Sequence, residues 1–194
     1  PPSINAAETI VQLQSWQADL FVVCDYGQIL SADCLAAARL GGINLHGSLL
    51  PRHRGAAPVQ WAILRGDAQS GVSVIHMTPK LDGGPIIEEA STPLGRFERA
   101  DHLETRLSQI GIDCTLRAVE RLSLWQPEPN QVAMLGREQD RNLITPAPRL
   151  SKGDGQLHFG YAAALIDRQF RALQPWPGLY GHLQIGQSKV VRTI

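Results

Sequence analysis

Three side chains of the sequence have complementary chemistry. Asn44 and His46 stand two positions apart at the end of an apolar run, and Asp82 follows 36 positions after His46, beside two glycines. An amide N–H can stabilise a developing oxyanion, and an imidazole can accept or donate a proton near neutral pH. A carboxylate beside His46 would stabilise the imidazolium. Together they could act on one substrate atom, although by spacing alone all three are equally ordinary capping and turn residues.

The segments around Asn44 and His46 alternate between helix and strand patterns. Asn5 and Glu8 resemble a capping box before an apolar helical face, and Ser31 can cap a second helix. Continuous apolar runs are typical of strands that are buried on both faces. The patterns predict a helix over 6–17, a strand over 20–24, a helix over 31–39 and a strand over 43–45.

The segments around Asp82 continue the α/β pattern. Residues 72–77 alternate with period two, and residues 86–89 can pair with them across the Asp82 turn. A loop over 46–58, a helix over 59–64 and a long helix over 99–124, with Gly111 as a weak spot, complete the predicted domain. Asn44 and His46 leave the same face at the carboxyl end of a strand, where open α/β sheets bind ligands.

The composition changes at Gln126, where prolines become frequent and periodicity fades. We predict a partial catalytic domain over 1–125, a linker over 126–140 and the start of a β-barrel domain over 141–194. The last part contains a predicted helix over 161–173 and a hairpin of strands 180–185 and 189–192. Because the sequence opens on Pro1-Pro2 and stops just after a strand pattern, we expect a fragment that is inactive, or nearly so, by itself.

Composition narrows the class of protein. The chain has 194 residues, 43% of them hydrophobic, and a formal net charge of zero, with a small acidic excess before residue 126 and a small basic excess after it. No apolar run approaches the roughly 20 residues that span a bilayer. The three cysteines form no C-x-x-C pair, and the histidines lack metal-site spacing. We expect a soluble, cytoplasmic protein without a metal site.

The segment from Asn44 to Pro51, taken with Asp82, resembles the catalytic signature of the formyltetrahydrofolate-dependent transferases. That family combines an N-x-H pair, an SLLP turn and a later D-x-G loop, and all three occur here in order. The resemblance implies a Rossmann-like, mostly parallel sheet, incomplete at its start. It also implies formyl transfer from 10-formyltetrahydrofolate to an amine, with Asn44 and His46 stabilising the oxyanion and Asp82 holding His46.

The resemblance further implies a folate site. Asp25 and Ser31, which flank the first of its loops, depart from the residues that are common in the family. The implied folate-binding residues are Tyr26, Gly27, Gln28, Ile29 and Leu30 of that loop, Ser48, Leu49, Leu50 and Pro51 of the SLLP turn, and Asp82, Gly83, Gly84 and Pro85 of the D-x-G turn.

Two other regions indicate the acceptor. The run from Arg52 to Pro58 resembles the family members that formylate methionyl-tRNA, and residues 149–154 and 171–178 resemble their linker and the start of their OB-like barrel. The implied partner is initiator methionyl-tRNA, which is formylated for translation initiation. We expect the protein to be a monomer. Its candidate contacts are Arg52, Arg54, Lys152 and Arg171.

Three alternatives stay open. The acceptor can be an amino sugar nucleotide, or it can be water in a formyltetrahydrofolate hydrolase. The chain can also be a non-catalytic remnant that binds nucleic acid. Arg52 and Arg54 can equally be a solvated pair of loop residues.

Overall fold

The computed structural model describes residues 3–126, 134–185 and 188–193, with side chains described as far as residue 182. Helices and strands alternate along most of this length, so the α/β class is confirmed. The elements are α1 (Ala7–Ser15), β1 (Phe21–Cys24), α2 (Ala32–Leu35), β2 (Gly42–His46), α3 (Pro58–Arg65), β3 (Gln69–His76), β4 (Ile86–Pro93), α4 (Ala100–Leu124), α5 (Ala163–Leu173), β5 (Tyr180–Ile185) and β6 (Ser188–Thr193), with 3₁₀ turns at Arg141–Leu143 and Lys152–Gly155.

The first four strands form one sheet in the order β1-β2-β3-β4. β1 and β2 are parallel, whereas β2 pairs with β3, and β3 with β4, in antiparallel ladders. Over these four strands the sheet is therefore mixed, where the sequence predicted mostly parallel strands. The reason lies in the connection through α3: His46 pairs with Ser73 and Ile43 with His76, so β3 starts at the end of the sheet where β2 finishes.

The main core lies between one face of this sheet and helices α3, α4 and α5. Because side chains alternate along a strand, Ile43, Val72 and Val74 enter the core and leave Asn44 and His46 on the opposite face. The segment after α4 belongs to the same core, since Leu150 and Leu173 pack into it. The core residues of the helices include Val59, Ile63, Leu103, Leu107, Cys114, Ala118, Leu122 and Ala172.

The first two helices differ from their predicted form. The capping-box prediction for Asn5 is wrong, because Ala6 is the N-cap residue of α1 and has no side-chain cap. Asn5 instead donates to the Ile29 carbonyl (2.8 Å) and accepts from the Ser31 N–H (2.7 Å). The Ser31 cap is confirmed by its bond to the Cys34 N–H, although α2 ends at Leu35 rather than Arg39.

Strand β1 is less buried than its apolar sequence predicted. Its side chains alternate between half-buried and exposed, and Val22 is 56% exposed. The prediction of burial on both faces is wrong, because at this end strand of the described sheet the face that carries Val22 and Cys24 is left exposed. Its inward side chain Phe21 packs with Leu13, Leu30 and Cys34 in a smaller cluster below α1 and α2.

Gly111 makes a close contact inside α4. A Cβ atom at this position would lie 2.7 Å from the Cδ2 atom of Leu45 on β2. The glycine predicted as a weak spot therefore allows the helix to approach the sheet, and α4 continues through it without a break.

The chain after α4 returns to the sheet. Residues 127–133 lie outside the described residues, but Arg137 pairs with Ile86 and Arg54 with Pro146 in isolated bridges. Tyr180 and Thr193 pair in the β5–β6 ladder, which confirms the predicted hairpin. The division into catalytic domain, linker and barrel stays a prediction. No helix in the described part of the chain is both long and apolar enough to cross a membrane.

Two leucines of α4 test this packing. Leu103 is fully buried against the sheet, whereas Leu116 on the same helix is 62% exposed. Removing a buried leucine side chain leaves a cavity, so Leu103→Ala should lower the free energy of unfolding by about 2–5 kcal/mol. Leu116→Ala should change it by less than about 0.5 kcal/mol. Urea denaturation measures both, and equal effects would contradict the described position of α4.

Candidate active site

His46 and Asp82 meet at the end of β2. The His46 ring is 6% exposed and the Asp82 side chain 12%, and the distance from His46 Nδ1 to Asp82 Oδ2 is 3.8 Å. The two residues reach this position from different directions, since His46 is the last residue of β2 and Asp82 lies in the turn between β3 and β4. The sequence prediction that they converge is thus matched by their placement.

The turn around Asp82 is held in an unusual backbone conformation. Asp82 has a φ of +45°, a left-handed conformation that Asp tolerates better than most residues. Its Oδ2 accepts the Gly55 N–H at 2.8 Å. A Cβ atom at Gly84 would lie 1.7 Å from the His76 carbonyl oxygen, so only glycine fits there. Gly83 has more room, since a Cβ atom there would lie 3.1 Å from the Cβ atom of Lys80.

The hydrogen bond of His46 determines which ring nitrogen carries the proton. Nε2 lies 2.8 Å from the His53 carbonyl oxygen. Since a carbonyl can only accept, Nε2 must carry the proton and donate. In the neutral ring Nδ1 therefore has a free lone pair on the side of Asp82. The 3.8 Å separation is too long for a hydrogen bond, so the two groups are close without being locked together.

Asn44 shares the face of β2 that carries His46. It is partly buried and pairs with Ile75 of β3 and Val23 of β1. Within the described residues its side-chain amide has no hydrogen-bond partner. The amide N–H₂ is therefore available to a substrate oxygen next to the imidazole.

His53 supports His46 from behind. It has a φ of +61°, its ring is 3% exposed, and its Nε2 lies 2.7 Å from Asp67 Oδ2. Arg52 donates to the other oxygen of Asp67 at 2.6 Å. Burial lowers the pKa of His53, and the hydrogen bond and charge of Asp67 offset this only in part. His53 is therefore a buried, neutral anchor for the carbonyl that His46 contacts.

Ser73 holds the SLLP turn against β3. Its hydroxyl donates to the Ser48 carbonyl (2.8 Å) and accepts the Leu50 N–H (3.0 Å). Ser48 in turn donates to the Arg52 carbonyl at 2.7 Å. Ser48 and Leu50 are themselves buried, so this turn is a fixed part of the structure next to His46.

Comparison with known proteins identifies the family. A family model described as "Formyl transferase" matches residues 2–119 of the chain. The chain belongs to the formyl transferase family.

The relatives of this formyl transferase chain are longer than the chain itself. A methionyl-tRNA formyltransferase from Rhodopirellula baltica is 51% identical in an alignment of 195 residues that covers 97% of this chain and 56% of the relative. Another methionyl-tRNA formyltransferase, from Pseudomonas fluorescens, is 39% identical over 191 residues, covering 98% and 58%. The chain thus spans a little more than half the length of these curated relatives.

Solved structures share the fold. A sugar N-formyltransferase from Shewanella sp. superimposes with a TM-score of 0.75 at 18% identity, covering 99% of this chain and 75% of that one. HypX from Aquifex aeolicus, in complex with tetrahydrofolic acid, has a TM-score of 0.71 at 15% identity, covering 92% and 30%. The Rossmann-like formyl transferase fold predicted from the sequence is confirmed, and at these identities the likeness concerns the fold alone.

The loop predicted to bind folate in this formyl transferase is open to solvent. Tyr26 and Ile29 are 47% and 52% exposed, whereas Leu30 is buried. A Cβ atom at Gly27 would meet nothing within 4 Å, and in the described part of the chain no hydrogen bond engages the backbone of residues 26–28. In the described part of the chain, the loop thus offers backbone donors and acceptors without partners at the position where the resemblance implied folate binding.

The four predicted tRNA contacts lie in different surroundings. Arg52 is exposed and paired with Asp67, and Lys152 is exposed. Arg54 is half-buried and donates twice to Gln139. Arg171 is buried and donates to Asp167 and to the Glu98 carbonyl, which argues against the predicted tRNA contact at this position.

The sequence patterns missed several residues that hold the site. Ser73 and His53 gave no signal, because a single buried polar residue looks like any other strand or loop residue. Gln139 fell in the predicted linker, yet it contacts the Asp82 turn. The described part of the chain contains no group of three or more His, Cys, Asp or Glu side chains that could hold a metal ion.

The lowered pKa of His53 predicts a pH dependence of stability. The unfolded chain binds a proton near the ordinary histidine pKa of 6.5, whereas the folded chain resists it until lower pH. Below pH 6.5 the unfolded state therefore binds more protons, and the free energy of unfolding must fall as the pH falls. His53→Gln keeps a donor for Asp67 but cannot titrate. Between pH 7.5 and pH 5.5, about one unit either side of 6.5, its free energy of unfolding should therefore fall less steeply with pH than that of the wild type, as measured by urea denaturation. An unchanged slope would contradict the assignment.

Proposed function

We propose that this chain is the catalytic part of a methionyl-tRNA formyltransferase, which transfers the formyl group of 10-formyltetrahydrofolate to the amino group of initiator methionyl-tRNA. The observation that carries the proposal is the approach of Asp82 to His46, on the face of β2 that also carries Asn44. The 51% identity to a methionyl-tRNA formyltransferase supports this acceptor over the sugars of the structural neighbours, which are below 20% identical. The activity would serve translation initiation.

The donor would bind between two loops. The exposed backbone of residues 26–28 would read the pterin edge, and the exposed side chains of Tyr26 and Ile29 would cover its apolar faces. The turn of Asp82 to Pro85 would form the opposite wall, and the SLLP turn of Ser48 to Pro51 would form the floor. Pterin reading by backbone groups needs little from individual side chains, which agrees with the glycine-containing sequences of both loops.

The three polar side chains would divide the chemistry between them. As the amine nitrogen attacks the formyl carbon, the carbonyl electrons move to oxygen, and the Asn44 amide donates a hydrogen bond to that oxyanion. Nδ1 of neutral His46 accepts the proton that the attacking amine loses, directly or through water. Asp82 then faces a charged imidazolium and stabilises it. When the bond from carbon to folate nitrogen breaks, His46 returns the proton to the leaving nitrogen.

The acceptor would approach over the exposed cations of Arg52, Arg65 and Lys152. Arg52, and Arg65 at the end of α3, are both exposed. Both lie near His53, because the charge of each lowers the pKa of its imidazole. Lys152 offers a further exposed charge in the basic C-terminal part. Contacts of this kind to phosphates weaken as salt rises. Arg171, which is committed to Asp167 and Glu98, has no part in this surface.

Substitution of the three polar residues tests the chemistry. In the full-length protein, Asn44→Ala should lower kcat by about 100- to 1000-fold through loss of an oxyanion donor. His46→Ala should lower it by about 100- to 10 000-fold through loss of the proton acceptor. Asp82→Asn keeps the acceptor for Gly55 and removes the charge, so its loss should be smaller than that of His46→Ala. His102→Ala, an exposed histidine of α4, is the matched control.

Formyl transfer from labelled 10-formyltetrahydrofolate measures these variants. Turnover of His46→Ala and Asn44→Ala equal to the control would exclude the catalytic role and favour a protein that only binds nucleic acid. The same assay offers methionyl-tRNA, a nucleotide-linked amino sugar and water alone as acceptors. Product with the sugar but not with methionyl-tRNA would reject the acceptor, and release of free formate in the absence of any amine would identify a hydrolase.

A further inference from the structure

We propose that Gln139 is a positioning residue for this reaction: it fixes the turn that carries Asp82 and, through the same side chain, holds Arg54 beside it. The proposal rests on the proposed function, since it assigns Gln139 to the placement of a catalytic carboxylate. Gln139 lies beyond residues 2–119, the part of the chain that the family model matches. It is 8% exposed.

The amide of Gln139 is fully used. Its Nε2 donates to two carbonyls of the catalytic turn, those of Asp82 (2.9 Å) and Gly84 (2.7 Å). Its Oε1 accepts from Arg54 twice, from Nε at 3.0 Å and from Nη2 at 2.7 Å. Both N–H bonds and both lone pairs thus have partners, and only one orientation of the amide satisfies them. Gln139 therefore recognises the turn and the guanidinium at the same time.

Gln139 belongs to a segment that we call the strap (residues 136–147). The strap contacts the chain just after the Asp82 turn and the loop that carries Arg54 and Gly55. At its start, Arg137 exchanges two backbone hydrogen bonds of 2.8 Å with Ile86, just after the Asp82 turn. At its end, the Ala147 N–H donates to the Arg54 carbonyl at 2.7 Å, and the Ala57 N–H donates to Ala147. Gln139 is thus fixed at both sides by main-chain contacts and has little freedom to follow a moving turn.

The strap also fixes the backbone that donates to Asp82. Gly55, whose N–H bonds the Asp82 carboxylate, has a φ of +129°, and a Cβ atom there would lie 2.4 Å from the Ala147 carbonyl oxygen. The side chain of Asp82 is therefore held through Gly55, and its main chain through Gln139. Without the Gln139 amide, the part-buried Asp82 carbonyl, the buried Gly84 carbonyl and the Arg54 guanidinium would lose partners, and the turn would shift to recover hydrogen bonds.

The hydrogen bonds to Gln139 fix the position of the Arg54 charge. Burial lowers the pKa of Arg54, the negative charge of Asp82 partly offsets the effect, and the guanidinium stays charged. Because Gln139 is neutral, it can accept from Arg54 without competing with Asp82 for the role of counter-ion. A glutamate in its place would bind Arg54 more strongly but would turn an oxygen towards the two carbonyls of the turn.

Two substitutions of similar shape separate positioning from folding. Gln139→Met removes every hydrogen bond, and Gln139→Glu keeps the acceptor for Arg54 but loses the donors to Asp82 and Gly84. Since a displacement of about 1 Å can cost about 100-fold in rate, both should lower kcat for formyl transfer by about 100-fold. Glu138→Ala, at the exposed neighbouring position, is the matched control and should stay within about threefold of wild type. Thermal unfolding of each variant checks that it is folded.

A double substitution tests whether Gln139 acts through Asp82. In an Asp82→Asn background the carboxylate charge is already absent, so adding Gln139→Met should lower kcat by less than about threefold, because coupled residues are not additive. A full 100-fold loss in that background would show that Gln139 acts elsewhere and would overturn the proposal. Turnover of Gln139→Met equal to wild type would overturn it as well.

A crystal structure of Gln139→Met supplies a readout that needs no activity. The distance from His46 Nδ1 to Asp82 Oδ2 should lengthen by about 1 Å or more, and an unchanged distance would overturn the proposal. If wild type and Glu138→Ala both fail to formylate methionyl-tRNA, the proposed function fails, and this distance still decides whether Gln139 positions the turn.

Discussion

The hydrogen bond from His46 to the His53 carbonyl is the interaction on which the site depends. It fixes the proton on Nε2 and turns the lone pair of Nδ1 towards Asp82, so one bond determines both the tautomer and the direction of the imidazole. The position of the His53 carbonyl is fixed because His53 itself is held in place. His53 is buried, its ring is tied to Asp67, and its left-handed backbone points the carbonyl at His46.

A second constraint is that the site is assembled from distant segments. His46 comes from a strand, Asp82 from a turn 36 positions later, and Gln139 from a segment a further 57 positions along the chain. Glycines make these approaches possible, since Gly55 and Gly84 stand where any Cβ atom would meet a backbone oxygen. The catalytic geometry is thus a property of main-chain packing as much as of the three polar side chains.

The sequence predicted the elements better than their surroundings. The long helix α4 and the β5–β6 hairpin were predicted well, because periodicity and turn residues are local signals. The exposure of β1 could not be read from its apolar run, since burial depends on which elements cover a strand. Asn5 was predicted as a cap and in fact ties α1 to the loop of residues 26–31, a contact between segments more than 20 residues apart.

The site shows the same division between local and distant information. Asn44, His46 and Asp82 were predicted through a motif resemblance; His46 and Asp82 lie close together, and Asn44 shares the face of β2 with His46. Gln139 and Ser73 could not be predicted, because each acts through hydrogen bonds to a loop that is remote in sequence. Arg171 was predicted as a tRNA contact from its charge, but an arginine that is close to acceptors inside the fold becomes a structural donor.

The convergence of Asn44, His46 and Asp82 around a formyl group is tested most directly by a crystal structure with 5-formyltetrahydrofolate, a stable isomer of the proposed donor. The formyl oxygen should lie within about 3.2 Å of the Asn44 amide nitrogen, and the formyl carbon should face the gap between His46 and Asp82. A pterin bound away from residues 26–30 and 82–85, or a formyl group pointing away from Asn44 and His46, would contradict it.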